Sequence, residues 1–508
     1  ATQGDASLAG ITFGIWNMNS NSVFVNGQEF AAGTEITALR MTTNASGYAT
    51  TKGIVKGGAL PVGKYEIREI STNTSMQRTD TAPVAFTITD TGVVMPDGSV
   101  VAFNENTPPV VVRYNTDPYT ARNAVVEGGL EAQKVDANLG ENVPSGDATL
   151  EGTVFYIVNA SAGSVVNKDG KVIPKANLSA SPTYGEIMEA AKAGSLVQTI
   201  TTNAQGYAAT GSTDLPYGTY YVIEAQAPEG YVANTEWIQK VEIRTQGTIV
   251  SLLDNPCADP PIKGGAKVQK FDYMRDTDKP HGDADLSGAE FTIVNASSNT
   301  CQNVDGEKIP SSGLPEDVTY AQVRAAANKS TMQVLTTDAS GDAQTGANDL
   351  PYGTYYIIET KAPEGYSVNT EWIGEVIIRE DGVIYEPAVI RKGIHVEDNH
   401  TDDPSHDVAG SEVVANDGHS YAVCDQIYRS GISIDKIDLE MGDATRQGEG
   451  TLEGAEFTIL NASKASIRNK DGKDIPTAEV SETPTYAELR EIADAGKNTV
   501  QVITTNKQ

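Results

Sequence analysis

Three lysines occupy equivalent positions in a repeated pattern of this 508-residue chain. Lys134, Lys270 and Lys436 each lie twelve residues before a glycine-acid segment of the form GDxxLxG or GEGTLEG. Alternate residues of a strand share one face, so in LEAQKVD the lysine points the same way as Leu130 and Ala132. Lysine is almost never buried unless it is paired. The pattern therefore predicts inward-facing lysines that need partners.

A glutamate occupies a comparable position on a second repeated strand. In KYEIRE (64–69), apolar and charged residues alternate, and this predicts a half-buried strand with Glu69 on its inner face. The blocks LPYGTYYVIE and LPYGTYYIIE place Glu224 and Glu359 at the same point. We therefore predict one inward glutamate in each of the first three repeats.

A third polar position lies eleven residues before each lysine, at Asn123, Asp259 and Asp425. An amine is nucleophilic only when it is neutral, and burial disfavours the charged forms of amines and carboxylates. A buried protonated glutamate can donate a proton to an Asp or Asn carbonyl and then accept one from the amine. The three groups together predict acylation of lysine by its neighbour. The alternative is a buried ion cluster without a covalent bond.

The repeat that carries these residues is about 136 residues long, the length of a whole domain. We predict modules at 1–123, 124–260, 261–426 and 427–508. The third has an acidic insertion at about 386–424. The first lacks the strand before its GDxxLxG segment and the fourth lacks its C-terminal half, so we expect the chain to be part of a longer array.

Short runs rich in β-branched and aromatic residues, bounded by Gly, Pro and Asn, predict an all-β fold of antiparallel sandwich modules. The NKDG segments predict hairpin turns rather than calcium loops. One short helix is predicted in each later module, at 182–194, 318–329 and 484–496. Each helix has a threonine as its N-cap candidate.

The block YYIIETKAPEGY (355–366) resembles the E-box of Gram-positive pilins and surface adhesins. The run DPPIKGGAKVQK (259–270) is similar to the junction between tandem CnaB domains, which are collagen-adhesin B-type, prealbumin-like and related in architecture to immunoglobulin domains. This resemblance implies spontaneous isopeptide bonds between Lys and Asp or Asn, assisted by Glu.

Carried over by position, the resemblance implies a Lys134–Asp259 bond beside Glu224 and a Lys270–Asp425 bond beside Glu359. The first module offers Glu69 and Asn123, with its lysine upstream of residue 1. The fourth offers Lys436, with its partners beyond residue 508. Three further side chains near the same strand ends compete as partners: Asn115, Asn255 and Asn399.

The remaining candidate sites are weaker. Four histidines lie in the acidic insertion, but their spacing matches no metal-ligand motif, so a solvated loop is favoured: His395, His400, His406 and His419. Cys257, Cys301 and Cys424 are expected to be inert thiols, although a Cys257–Cys301 disulfide is an alternative for an extracellular protein. Neither GxSxG nor HExxH occurs, and we expect no cofactor, no metal and no enzyme activity beyond a single autocatalytic turnover.

The formal net charge of −31 disfavours nucleic acid and anionic membranes as partners. No run reaches the roughly 18 apolar residues of a membrane helix. The favoured function is an extracellular, cell-wall-attached stalk that supports adhesion, with its anchor outside these residues and neighbouring modules as partners. In one alternative the modules themselves bind a host protein or glycan, and the insertion is the first surface to test for this binding. In another, sortase joins them into a pilus shaft.

Overall fold

The computed structural model describes residues 2–51, 53–54, 60–79, 82–102, 122–140, 142–273, 278–391 and 422–506. They form two compact units. The first comprises 1–135, 150–228 and 233–259, and the second comprises 136–149, 229–232 and 260–508. Both are built mainly from β-strands, which confirms the all-β prediction. Among the described residues, no helix has the length and apolar character needed to cross a bilayer.

The first repeat lies in the first unit and has one large sheet. Tyr65 and Phe86 stack in its core with ring centroids 5.5 Å apart. A short 3₁₀-helix spans Thr37–Leu39. The six sheet strands, in spatial order, are Met41–Thr42, Thr12–Asn17, Gly63–Ser71, Val84–Ile88, Gly92–Val94 and Val100–Ala102. Two further pairs are Asn123–Val125 with Met76–Arg78, and Val23–Val25 with Gln28–Phe30.

The second repeat completes the first unit with two sheets that enclose a core around Phe155 and Trp237. One sheet is centred on Glu127–Asp136, which pairs with Tyr207–Ala209, Leu215–Pro216, Ile249–Ser251 and Cys257–Asp259. The other has the order Leu196–Thr201, Val154–Asn159, Gly218–Gln226 and Ile238–Ile243. Val165–Val166 and Val172–Ile173 form the NKDG hairpin.

The third repeat lies in the second unit and has the same plan. Lys263–Asp272 pairs with Asp342–Gln344, Leu350–Pro351, Ile384–Tyr385 and Ala422–Asp425. The second sheet has the order Thr331–Thr336, Glu290–Asn295, Gly353–Lys361, Ile373–Ile378 and Ala388–Arg391. Cys301–Gln302 and Lys308–Ile309 form the hairpin.

The fourth repeat is a partial module. Its strands are Glu456–Leu460 with Thr499–Thr504, and Ile467–Arg468 with Asp474–Ile475. The strand predicted around Lys436 is wrong, because this segment has no strand and Lys436, Ile432 and Ile434 are exposed. In the third repeat the equivalent strand pairs with segments after the TTDASG turn, and the 508 residues contain no counterparts of those segments for the fourth.

The predicted helices are present at Tyr184–Ala190, Tyr320–Ser330 and Tyr486–Ala495, the first continuing as a π-turn over Ala191–Ser195. Each begins with a reciprocal capping box in which the threonine caps a backbone N–H and residue N3 caps the threonine. The first two helices pack on their sheets, so the central strand Gly218–Gln226 is buried on both faces, Ile223 included. The alternation in KYEIRE (64–69), which lies at the equivalent position in the first repeat, predicted a strand with only one buried face.

Candidate functional site

The predicted lysines of the second and third repeats lie inside their modules. We call Glu127–Asp136 and Lys263–Asp272 the lysine strands. Leu130, Ala132 and Lys134 are each 0% exposed, as the period-two pattern predicted. Lys270 is also 0% exposed and follows the buried Val268. Each amine therefore lies in a dry interior and depends on local partners.

Each lysine strand lies beside the last strand of its repeat. Lys263–Asp272 pairs in parallel with Ala422–Asp425, with Lys270 opposite Val423 and Asp272 opposite Asp425. Cys257–Asp259 pairs with Glu127–Asp136 in the first unit. The parallel pairing differs from the purely antiparallel sandwich expected from the sequence. It places the first and last strands side by side and brings lysine to aspartate.

In the second repeat, Lys134 Nζ lies 2.9 Å from Asp259 Oδ1, and both side chains are 0% exposed. The ammonium also donates hydrogen bonds to the carbonyl oxygens of Cys257 (3.1 Å) and Val135 (3.2 Å). These contacts aim the nitrogen at the aspartate carboxyl. The predicted pair is therefore in reach of nucleophilic attack once a proton has moved.

The third repeat reproduces this arrangement. Lys270 Nζ is ion-paired with Asp425 Oδ1, and it lies 3.1 Å from Glu359 Oε1. All three side chains are 0% exposed. One amine thus faces two carboxyl groups in the absence of bulk water.

The glutamates are positioned by a bulge and by a neighbouring loop. Glu224 lies opposite Phe155, next to a register shift between Val154 and Phe155. Its Oε2 accepts a hydrogen bond of 2.7 Å from the backbone N–H of Asn234. The equivalent backbone donor in the third repeat is Asn369, at 2.8 Å from Glu359.

Sequence analysis missed these two asparagines. The side-chain amide of Asn234 donates to the carbonyl of Ala258 (2.9 Å), and that of Asn369 donates to the carbonyl of Cys424 (3.1 Å). Each asparagine therefore holds the glutamate with its backbone and the aspartate strand with its side chain. The repeated NTEW segment that contains both residues was the available signal.

The helices also contribute to the site. The hydroxyl of Tyr184 donates to the backbone carbonyl of Glu224 (2.9 Å), and Tyr320 does the same for Glu359 (2.7 Å). These tyrosines are the first residues of their helices, directly after the threonine caps. The helical insertion therefore clamps the backbone of the glutamate at its bulge.

Burial controls the protonation of the carboxyl groups. Burial, reinforced by the Asp259 charge, raises the pKa of Glu224 to about 8. Burial also raises the pKa of Asp259, although Lys134 opposes this shift. Burial raises the pKa of Asp425 to about 8 as well, with Lys270 opposing the shift and Glu359 adding to it. Each site can thus retain a carboxyl proton near neutral pH.

The first repeat contains an incomplete version of the site. Asn123 Nδ2 donates to Glu69 Oε1 at 3.1 Å, so the structure brings these two predicted residues together. Glu69 is only partly buried. Of the competing partners, Asn255 is exposed, and Asn115 and Asn399 lie outside the described residues.

The remaining candidate residues are a possible metal-ligand cluster, the three cysteines and the insertion histidines. The ligand atoms of Glu224, Cys257 and Asp259 lie within 4.8 Å of one another, but the ammonium of Lys134 occupies this cluster. Cys257, Cys301 and Cys424 are buried free thiols. The alternative Cys257–Cys301 disulfide is wrong, because Cys257 belongs to the core of the second repeat and Cys301 to the core of the third. The four insertion histidines lie outside the described residues.

Tandem two-sheet modules whose first and last strands pair side by side have a prealbumin-like architecture. The family model of the SpaA prealbumin-like fold domain matches residues 1–98, 128–256 and 274–390. The chain therefore belongs to this family, which confirms the resemblance noted in the sequence. A comparison with curated proteins gave no match.

Solved structures with a similar fold include three from Gram-positive bacteria. The Bacillus anthracis TIE protein is 22% identical with a TM-score of 0.36, over 74% of this chain and 46% of its own. BcpA, the major pilin subunit of Bacillus cereus, is 15% identical (TM-score 0.22, 75% and 95%). The shaft pilin SpaA from Lactobacillus rhamnosus GG is 16% identical (TM-score 0.19, 53% and 99%). The chain thus spans less than half the length of the TIE protein.

Proposed function

We propose that this chain is an extracellular structural stalk, attached to a cell wall outside these residues, whose modules crosslink themselves through Lys134–Asp259 and Lys270–Asp425 isopeptide bonds. The observation that carries the proposal is the position of each buried amine beside an aspartate on the adjacent terminal strand. A surface or pilus role agrees with the family and with the pilins that share the fold.

The reaction balances without an added reagent. In a dry site the ammonium–carboxylate pair can exchange its proton and become a neutral amine and a carboxylic acid. The lysine nitrogen attacks the aspartate carbonyl carbon while the neighbouring glutamate donates a proton to its oxygen. A C–N bond forms, a C–O bond breaks, one water leaves, and the glutamate recovers its proton from the amine. Each module reacts once and acts on no external substrate.

The position of the bond suits a load-bearing element. The lysine and aspartate strands are the first and last of a repeat, and they run side by side. A covalent bond between them carries tension that would otherwise separate a hydrogen-bonded ladder. In the alternative hypothesis the modules themselves are adhesive, and the insertion at about 386–424 is the first place to look. Its residues lie mainly outside the described part, and the stalk proposal does not depend on them.

Intact-mass measurement of the purified chain tests the proposal. We expect a mass two waters below that of the translated sequence, one for each complete module. Glu224→Gln and Glu359→Gln should each recover one water, relative to their own sequence masses. The matched control Glu69→Gln should recover none, because the 508 residues contain no first-repeat lysine at the position equivalent to Lys134 and Lys270.

A second substitution identifies the acyl donor. Asp259→Asn should still crosslink, with ammonia rather than water as the leaving group, whereas Asp259→Ala should not. Peptide mapping should then find Lys134 and residue 259 in one branched peptide. A chain of full sequence mass, or a branch point at another residue, would refute the assignment.

A further inference from the structure

The first two repeats, which both lie in the first unit, are connected by a single residue. The strand Asn123–Val125 ends the first repeat and the lysine strand Glu127–Asp136 begins the second, so Val126 alone lies between them. Val126 is buried, its N–H donates to the carbonyl of Ser75 (3.0 Å), and its carbonyl accepts from the N–H of Tyr217 (2.7 Å). We call Val126 the joint residue, because it bonds to both repeats.

The second unit contains the same arrangement at Ile262, which precedes Lys270 as Val126 precedes Lys134. The N–H of Ile262 donates to the carbonyl of Gly230 (2.8 Å), and its carbonyl accepts from the N–H of Tyr352 (2.7 Å). A trans peptide chain has two soft dihedral angles per residue, so a joint of one residue would bend unless a second contact held it.

A loop near the start of the first repeat makes such a second contact. We call Gly4–Asp5, and its counterpart Gly146–Asp147, the Gly-Asp loops. Each is a tight turn, closed in the first loop by a bond of 3.0 Å from the N–H of Ala6 to the carbonyl of Gln3. The two glycines have φ of +57° and +56°, so both loops have the same shape.

The first Gly-Asp loop docks onto the second repeat through its backbone. The N–H of Gly4 donates to the carbonyl of Ser164 (2.8 Å), and the carbonyl of Gly4 accepts from the N–H of Gly163 (3.0 Å). The N–H of Asp5 donates to the carbonyl of Tyr217 (3.2 Å). Tyr217 therefore bonds to the joint residue with its N–H and to the loop with its carbonyl. Inside the second unit, the loop at 146–147 makes the same three bonds, with Thr300 (3.1 Å), Asn299 (3.0 Å) and Tyr352 (3.2 Å).

The aspartate side chain is bound by one backbone N–H, one hydroxyl and one guanidinium. Asp5 accepts from Ala162 N (2.8 Å), Thr219 Oγ1 (2.7 Å) and Arg244 Nη2 (3.1 Å). The same guanidinium lies over the ring of Tyr217, 4.7 Å from its centroid. The corresponding donors to Asp147 are Ser298 N (2.9 Å), Thr354 Oγ1 (2.7 Å) and Arg379 Nη2 (3.5 Å). The same donor set therefore binds a carboxylate at both loops.

Only glycine fits the first position of a docked loop. A Cβ on Gly4 would lie 2.2 Å from the carbonyl oxygen of Tyr217, and one on Gly146 would lie 2.1 Å from that of Tyr352. Both glycines also have positive φ, which other residues rarely adopt. The Gly-Asp sequence is therefore required by docking as well as by the turn.

We propose that the surface around Tyr217 is a recognition site for the Gly-Asp loop of the preceding repeat, and that this contact braces the joint at Val126 against bending. The joint residue attaches the end of the first repeat to the second, and the loop attaches its start. Two attachments on one rigid module fix an angle that a single residue leaves free. The mechanical role rests on the proposed stalk function, whereas the contact itself does not need the isopeptide bonds.

Hydrogen exchange of the full chain tests the contact. The amides of Ala162 and Gly163 donate to the docked loop, so they should exchange at least about tenfold faster in Gly4→Ala than in the parent. Asp5→Ala should release Ala162 in the same way. The amide of Leu130, bonded to Thr210 Oγ1 in the core of the second repeat, should keep its rate and so report an intact fold.

The matched control is Glu29→Ala, which removes an exposed acid from the first repeat. It should leave the exchange of Ala162 and Gly163 as in the parent. Parent amides at these two positions that exchange as fast as in an unstructured chain would overturn the recognition site. Equal acceleration in the Glu29→Ala control, or none in Gly4→Ala, would also overturn it.

Electron–electron double resonance tests the brace. Spin labels at Val100→Cys in the first repeat and Lys192→Cys in the second both sit on exposed side chains, and the native thiols are buried. We expect a narrow distance distribution in the parent and a broad one after Gly4→Ala. Equal widths would overturn the bracing role. The intact mass of Gly4→Ala should still lie two waters below its own sequence mass, so failure of the brace and failure of the crosslinks give different results.

Discussion

The isopeptide bond proposed for the second repeat should raise its free energy of unfolding by an amount that follows from the length of the loop that it closes. Lys134 and Asp259 enclose 125 residues. By analogy with disulfide loop closure, crosslinking a loop of this size contributes about 5 kcal/mol. A module of 136 residues unfolds with an entropy of roughly 0.3 kcal/mol/K, so the melting temperature should differ by about 17 °C.

Glu224→Gln is the perturbation of choice, because it removes the proton donor and leaves the shape of the side chain almost unchanged. Differential scanning calorimetry should show one transition of the full chain moved down by about 17 °C. Mass spectrometry on the same sample must show that the second repeat is unlinked. The third repeat, with its own Glu359, should melt as in the parent.

The matched control is Glu242→Gln, on the adjacent strand, where the side chain is 47% exposed. This control should keep the deficit of two waters relative to its own sequence mass, and its melting temperature should equal that of the parent. Lys134→Met separates the loss of the bond from the loss of the glutamate, and it should lower the melting temperature by a similar amount. An unlinked Glu224→Gln chain that melts within about 3 °C of the parent would refute the loop-closure reasoning.

Three further predictions concern single side chains. In the unlinked Lys134→Met variant, the raised pKa of Glu224 means that the folded state keeps a proton that the unfolded chain releases above its ordinary value of 4.5. Its free energy of unfolding should therefore fall as the pH rises above about 4.5, by at most about 1.4 kcal/mol per pH unit. Removing Lys134, which opposes the shift, should extend this fall to higher pH, and a flat urea-denaturation profile would contradict the shift. Thr319→Ala removes the capping box with Gln322 and should cost about 1 kcal/mol in urea unfolding, whereas Thr319→Ser should cost little. Asn295→Ala removes the amide donor to the buried carbonyl of Ile309 and to the partly buried carbonyl of Asn299, and it should cost about 3 kcal/mol, against a loss under 1 kcal/mol for an exposed Asn328→Ala control.

The positions of Lys134 and Lys270 could be predicted because a period-two pattern assigns every residue of a strand to one face. Asp259 and Asp425 carried no such pattern, but their fixed distance from the lysines in each repeat identified them. Their pairing geometry could not be predicted in this way. The parallel contact joins residues more than 100 positions apart, and local sequence does not record that register.

Two errors have opposite origins. The pattern around Lys436 is as regular as the others, yet it forms no strand, because a strand needs neighbours to bond to its edges. Asn234 was overlooked for the opposite reason, since it lies outside any strand and its role depends wholly on tertiary contacts. Periodicity therefore predicts which side chains would share one face of a strand. Tertiary packing determines whether that strand forms.

The charges of the unlinked site support the proposal that folding leads directly to acylation. In the third repeat one buried amine faces two carboxyls, so full ionisation would leave a net negative charge in a dry core. Holding one proton on the carboxyl pair makes the set neutral, and burial favours this state because it raises the pKa of Asp425 to about 8. That proton is the one the acylation requires. The proposed amide carries no charge, so its formation would remove the desolvation cost of the ion cluster together with the water.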